Sequence, residues 1–187
     1  MKLLLPIVGA VVLCAAVTPA ASADPGFDRG MAVTVASFEA PDAATKAFTY
    51  DPALVPVGAK AMVMAVPARE STKVLLSVHG LVPNRTYGAH AHQRPCGTAA
   101  ADSGAHHQHV VDPNQPSVDP AYANPNNEIW LDFTTDHRGW AVVKTAVPWR
   151  FADRRAGSVV VHAQKTSTEA GKAGTAGPRV ACATVKF

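Results

Sequence analysis

Apolar and polar positions alternate along this chain in short runs. The clearest are "MAVTVAS" (31–37), "AMVMAVP" (61–67), "KVLLSVHG" (73–80), "TYGAHAH" (86–92), "EIWLDFTT" (128–135), "WAVVKTAV" (140–147), "SVVVHA" (158–163) and "RVACATVKF" (179–187). Each is rich in Val, Ala and Thr, and none sustains a 3.6-residue period, so each reads as a strand. Turn residues separate them, as in "VPNRT", "DHRG" and "RRAG". About eight short strands without an amphipathic helix predict an all-β protein, a sandwich or a barrel.

Two stretches break the pattern. Cys96–Glu128, "CGTAAADSGAHHQHVVDPNQPSVDPAYANPNNE", is rich in Pro, Asn and Asp, and Gln164–Pro178, "QKTSTEAGKAGTAGP", is rich in Gly, Ala and Thr. Connections longer than about 15 residues in a compact domain usually carry function or are disordered. The histidines cluster beside these two.

The N-terminus belongs to a different pattern. Lys2 precedes an apolar run, Leu3 to Val17, and the small-residue triplet Ala21-Ser22-Ala23 follows. This predicts a secretory signal peptide over residues 1–23, hence a secreted or cell-envelope protein. The run is shorter than the roughly 20 residues a membrane-spanning helix needs, and Pro6 interrupts it. Bulky Leu13 before Cys14 disfavours lipidation. Residues 24–187 are expected to form one domain, frayed from Asp24 to Gly30, with no stable membrane insertion. Without Lys2 the formal charge falls from +3 to +2. So small and dispersed a charge argues against nucleic acid or an anionic membrane surface as partner. No signal for an oligomeric state is present. Of the cysteines, Cys14 leaves with the signal, and Cys96 and Cys182 are expected to pair in an oxidising compartment.

Candidate chemistry rests on imidazoles. In "YGAHAHQRPCG" His90 and His92 are two apart, so on a strand they share a face. His106, or a neighbour in "HHQH", lies in the long loop, and His162 ends the apolar run "VVVHA". A buried imidazole needs a partner. Four of them without a thiolate favour copper or zinc over an iron–sulfur cluster or calcium. Asn84-Arg85-Thr86 matches a glycosylation sequon, a tripeptide common by chance.

Taken in order, these segments resemble the copper/zinc superoxide dismutase family. "GLVPNRTYGAHAH" is similar to its G-L-x-x-G-x-H-x-H segment. "CGTAAADSGAH" is similar to the stretch from a disulfide cysteine to a third ligand, "SVVVHA" to the strand carrying the fourth, and "AGPRVAC" to its A-G-S-R-L-A-C. The resemblance covers roughly residues 75–187. It implies an eight-stranded Greek-key β-barrel or sandwich with two long functional loops. It also implies copper held by His90, His92, His106 and His162, a Cys96–Cys182 disulfide, and Arg179 as the group that draws superoxide to the metal. His106 is then the ligand that detaches and is protonated during turnover. Lys165 and Lys172 add to the positive field.

The chain departs from the family where zinc would bind. "NNEIWLD" stands in place of a "HVGDLGN" segment, no histidine lies between Val110 and Asp136, and Thr166 stands where an aspartate normally joins the two metal sites. The resemblance is therefore to the family's copper-only branch, in which a glutamate orients the third copper histidine. Glu128 is the candidate for that role and Asp132 the second. A rearranged zinc site built from His107, His109 and Asp112 is the alternative, with imidazole and carboxylate suited to zinc. His79 and His137 match no ligand position. The function expected is dismutation of superoxide to oxygen and hydrogen peroxide. Its rivals are a copper-binding protein without turnover, serving as metal sink or interaction domain, and a structural sandwich with incidental histidines.

Overall fold

The computed structural model describes residues 30–43 and 45–187. The expected signal segment, its cleavage site, Cys14 and most of Asp24–Gly30 lie outside the described residues. No helix among the described residues is long and apolar enough to cross a membrane.

Among the described residues there are nine strands: β1 Ala32–Ser37, β2 Ala47–Thr49, β3 Lys60–Pro67, β4 Thr72–His79, β5 Thr86–His92, β6 Phe133–Thr134, β7 Ala141–Val147, β8 Ser158–His162 and β9 Arg179–Thr184. They form two antiparallel sheets, in the orders β1-β3-β4-β7 and β2-β9-β8-β5-β6. The non-consecutive neighbours are of Greek-key type: β4 and β7 pair although β5 and β6 lie in the other sheet. The sheets do not close into a barrel.

Sequence alternation explains the first sheet. Ala61, Val63 and Ala65 of β3 and Val74, Leu76 and Val78 of β4 are buried, while the residues between them are more exposed. The second sheet is different. All five residues of β8 are buried, as are six of the seven of β5. Its inner face joins the common core, in which Tyr87 stacks on Phe133 at 5.2 Å. Its outer face is covered by the two long loops, and the histidines of β5 and β8 lie on that covered side.

At the level of elements one strand was not anticipated and one expectation is revised. β2 has only three residues and carries no alternation long enough to read. "EIWLDFTT" shrinks to β6, because only Phe133 and Thr134 pair regularly with β5. Before them, Trp130 bridges to His90 of β5, and Glu128 bridges to Gln108 of the first loop. Period two survives there: Ile129, Leu131 and Phe133 enter the core. Glu128, Trp130 and Asp132 are left for the opposite side, toward the loops.

Candidate metal centre

β5 supplies two of the four imidazoles on one face, with Tyr87, Ala89 and Ala91 on the core face. Gly88 shares the face of His90 and His92. A Cβ there would lie 2.6 Å from the Gln164 carbonyl oxygen and 2.7 Å from the Ala176 Cβ, so a side chain would push the second loop away. In β8, His162 pairs opposite Gly88, and a register shift between Val161 and His162 ends the regular ladder. His106 arrives from the first loop, bridged to His92. That strip is pinned to β5 by Gln93 N–H donating to Ala105 O and His107 N–H to Ala91 O, at 3.0 and 2.8 Å.

The four imidazoles converge. One ring nitrogen of each of His90, His92, His106 and His162 lies within 4.8 Å of the others. Three are held alike through Nδ1: His92 by Gly104 O at 3.0 Å, His162 by Gly177 O at 3.2 Å, and His106 by Glu128 Oε2 at 2.8 Å. Carbonyl and carboxylate oxygens only accept, so Nδ1 carries the proton and the Nε2 lone pair faces the cluster. The Nε2 atoms of His92 and His162 are 3.4 Å apart. His90 is reversed. Its Nε2 is held by Thr166 Oγ1 at 2.7 Å, and its Nδ1 is buried without a partner.

Burial pushes His90 and His92 well below the usual histidine range, and the His106 and His162 imidazoles and Arg179 add to the effect. Burial also lowers His162 to about 4 against a partial opposing effect of the Gly177 carbonyl, with His106 and Arg179 lowering it further. Neutral imidazoles with inward lone pairs are what a metal ion requires. A buried ring nitrogen without a hydrogen bond is costly unless something occupies its direction. The donor set and the orphaned Nδ1 therefore fit a nitrogen-liganded metal ion.

His106 is the most exposed of the four, with 19 % of its side chain accessible. It opens, with His162, Glu128, Gly174 and Arg179, onto a cleft of about 390 Å³. Glu128, only 1 % exposed, also accepts from Gln108 Nε2 at 2.8 Å and Trp130 Nε1 at 2.7 Å. Arg179 is braced by Ala100 O at 2.9 Å and Ser103 Oγ at 3.1 Å, both in the one turn of 3-10 helix, Ala100–Ser103. The Cys96–Cys182 disulfide ties the start of that loop to β9.

The other expected residues fall elsewhere. Asp132 makes no contact with His106; it accepts from Thr166, through Oγ1 at 2.6 Å and the backbone N–H at 2.9 Å. His107, His109 and Asp112 are not brought together. His107 packs against Phe151 and Trp149, and His109 stacks on Trp149 at 5.0 Å. Asp112 caps its own turn through Asn114 N–H and Ser117 Oγ. Among the described residues, the four-histidine cluster is the one group of three or more His, Cys, Asp or Glu close enough to share an ion. His79 is exposed at the end of β4, and His137 lies in a turn beside Arg138. Lys172 pairs with Glu169 at 3.7 Å in solvent. Sequence reasoning missed Gln108 and Trp130 as partners of Glu128, and Thr166 as the partner of His90. The period-two spacing of Glu128, Trp130 and Asp132 was the available signal.

No family model matches the chain. No curated protein sequence matches it. Among solved structures, the copper/zinc superoxide dismutase of Brucella abortus matches with a TM-score of 0.54 at 16% identity, over 82% of this chain and 99% of that one. The likeness is one of fold.

Proposed function

We propose that this chain is an exported, copper-dependent superoxide dismutase that works without zinc. One observation carries the reading: four imidazoles converge at the foot of a cleft that an arginine also lines. The dismutase-like fold supports it. The disulfide supports export through residues 1–23, with residues 24–187 as the working domain. The lack of a gathered His107, His109 and Asp112 supports the omission of zinc.

His90, His92, His106 and His162 would hold the copper, whose one-electron couple is the chemistry it supplies there. The overall change is two superoxide ions and two protons to one oxygen and one hydrogen peroxide. Arg179 draws the anion toward the cleft, with its guanidinium fixed by Ala100 and Ser103 rather than free to follow the substrate. Glu128 holds the His106 ring through Nδ1, leaving Nε2 as the atom that takes up and returns a proton. Burial of His90 and His92 keeps water from their side of the site.

Direct superoxide decay tests the proposal, using the oxidised chain loaded with copper in zinc-free buffer. Fast decay that added zinc does not improve is expected. Decay no faster than free copper gives would contradict it. Copper bound tightly without turnover would favour a metal-binding protein, and rescue by zinc would revive the His107/His109 alternative.

A further inference from the structure

His90 differs from its three companions in the nitrogen by which it is held, and its holder is a hydroxyl. A carbonyl or carboxylate dictates which ring nitrogen carries the proton, but a hydroxyl does not: it accepts from Nε2–H or donates to a bare Nε2 equally well. Without metal, the bare nitrogens of the neighbouring rings would favour a proton on Nδ1. That tautomer points its proton at the place where an ion must bind. Something has to oppose it.

We propose that Asp132, acting through Thr166, fixes the tautomer of His90 and so turns its bare Nδ1 toward the metal position. Asp132 Oδ1 is 2.6 Å from Thr166 Oγ1 and also receives Ala89 N–H at 3.3 Å, while Oδ2 receives Thr166 N–H at 2.9 Å. A carboxylate only accepts, so the hydroxyl proton goes to Asp132. The hydroxyl oxygen must then accept from His90, which places the ring proton on Nε2 and leaves the partnerless Nδ1 bare. Asp132 does this without a hydrogen bond of its own to the ring, being 3.9 Å from Nε2. The reverse tautomer would turn the hydroxyl proton away from a charged, largely buried acceptor, the costlier alternative. Asp132 and Thr166 are thus positioning residues, drawn from the strip before β6 and from the second loop. This inference rests on the metal-binding reading only for its effect on copper.

Long-range proton–nitrogen correlation spectra of the metal-free mature chain, labelled at histidine, report which ring nitrogen of His90 is protonated. Wild type and Thr166→Ser are expected to carry the proton on Nε2. Thr166→Val, which removes the hydroxyl at nearly constant shape, is expected to shift it toward Nδ1. Asp132→Ala should do the same, because it removes the acceptor of the Thr166 hydroxyl proton and frees that proton for His90 Nε2. Copper affinity by chelator competition should fall on the order of 10–100-fold in both and recover in Thr166→Ser. A wild-type proton on Nδ1, or an Asp132→Ala protein with the wild-type tautomer, would overturn the proposal whatever Thr166→Val does. Should Thr166→Val fail to fold, Asp132→Ala decides alone. A chain with the expected tautomer that binds no copper would count against the copper reading and leave the positioning role intact.

Discussion

Glu128 is the residue on which the cleft side of the site converges. It is buried and receives three donors, His106 Nδ1, Gln108 Nε2 and Trp130 Nε1. Replacing it with alanine leaves those donors without an acceptor, at about 1–3 kcal/mol for each that water cannot reach. Glu128→Ala should therefore lower both the urea midpoint and the copper affinity, the latter on the order of 10–100-fold. Wild-type affinity in that variant would show that the ring does not depend on the carboxylate. On the proposed dismutase reading, Arg179 acts on the substrate instead. Arg179→Ala should slow superoxide decay at low salt and flatten its dependence on ionic strength, while copper affinity changes far less. An unchanged rate with unchanged salt dependence would remove Arg179 from the reaction.

At the scale of elements, the site is a consequence of β5 being covered on both faces. Its inner face carries the core, and its outer face carries two imidazoles under loops that approach closely enough to exclude a Cβ at residue 88. Gly88→Val should accordingly destabilise the fold by about 1–3 kcal/mol, read as a lowered urea midpoint. A midpoint equal to wild type would mean that the second loop yields freely. The His-x-His spacing made this strand legible in the sequence, because period two is a backbone property. The apolar run of β8 was legible for another reason, since a strand buried on both faces reads as a continuous apolar run. Glu128–Asp132 was legible only in part: its alternation is strand-like, but its pairing is broken into isolated bridges, Trp130 to β5 and Glu128 to the first loop. Which loop groups its side chains meet leaves no repeating pattern. The partnership of Asp132 with Thr166 across 34 residues had no local signal at all.

For the whole molecule, the disulfide joins cysteines 86 residues apart, linking the first loop to β9. On the loop-entropy account, its loss costs about 4–5 kcal/mol. A double Cys96→Ser, Cys182→Ser protein should unfold at markedly lower denaturant and lose the bracing around Arg179. Acid acts on the same whole. His107 and His162 are lowered from 6.5 to about 4, each chiefly by burial, so the unfolded chain binds more protons than the folded one between those values. Stability of the metal-free protein should fall as pH drops from about 6.5 through 4, with bound copper delaying the fall because metal and proton compete for His162. Equal unfolding midpoints at pH 7 and pH 4.5 would contradict the burial of neutral imidazoles. At this scale the all-β architecture, the two long loops and the cysteine pair were readable from alternation, punctuation and cysteine count. The two unclosed sheets and the short β2 were not, since closure depends on long-range pairing that no short segment encodes.

The most direct test of the central claim is superoxide decay followed in real time while copper is titrated into the zinc-free, oxidised protein. The four-histidine centre predicts a rate that rises in proportion to copper up to one ion per chain and then levels, with no further gain from zinc. A rate that stays at the level of free copper, or that appears only after zinc is added, would contradict it.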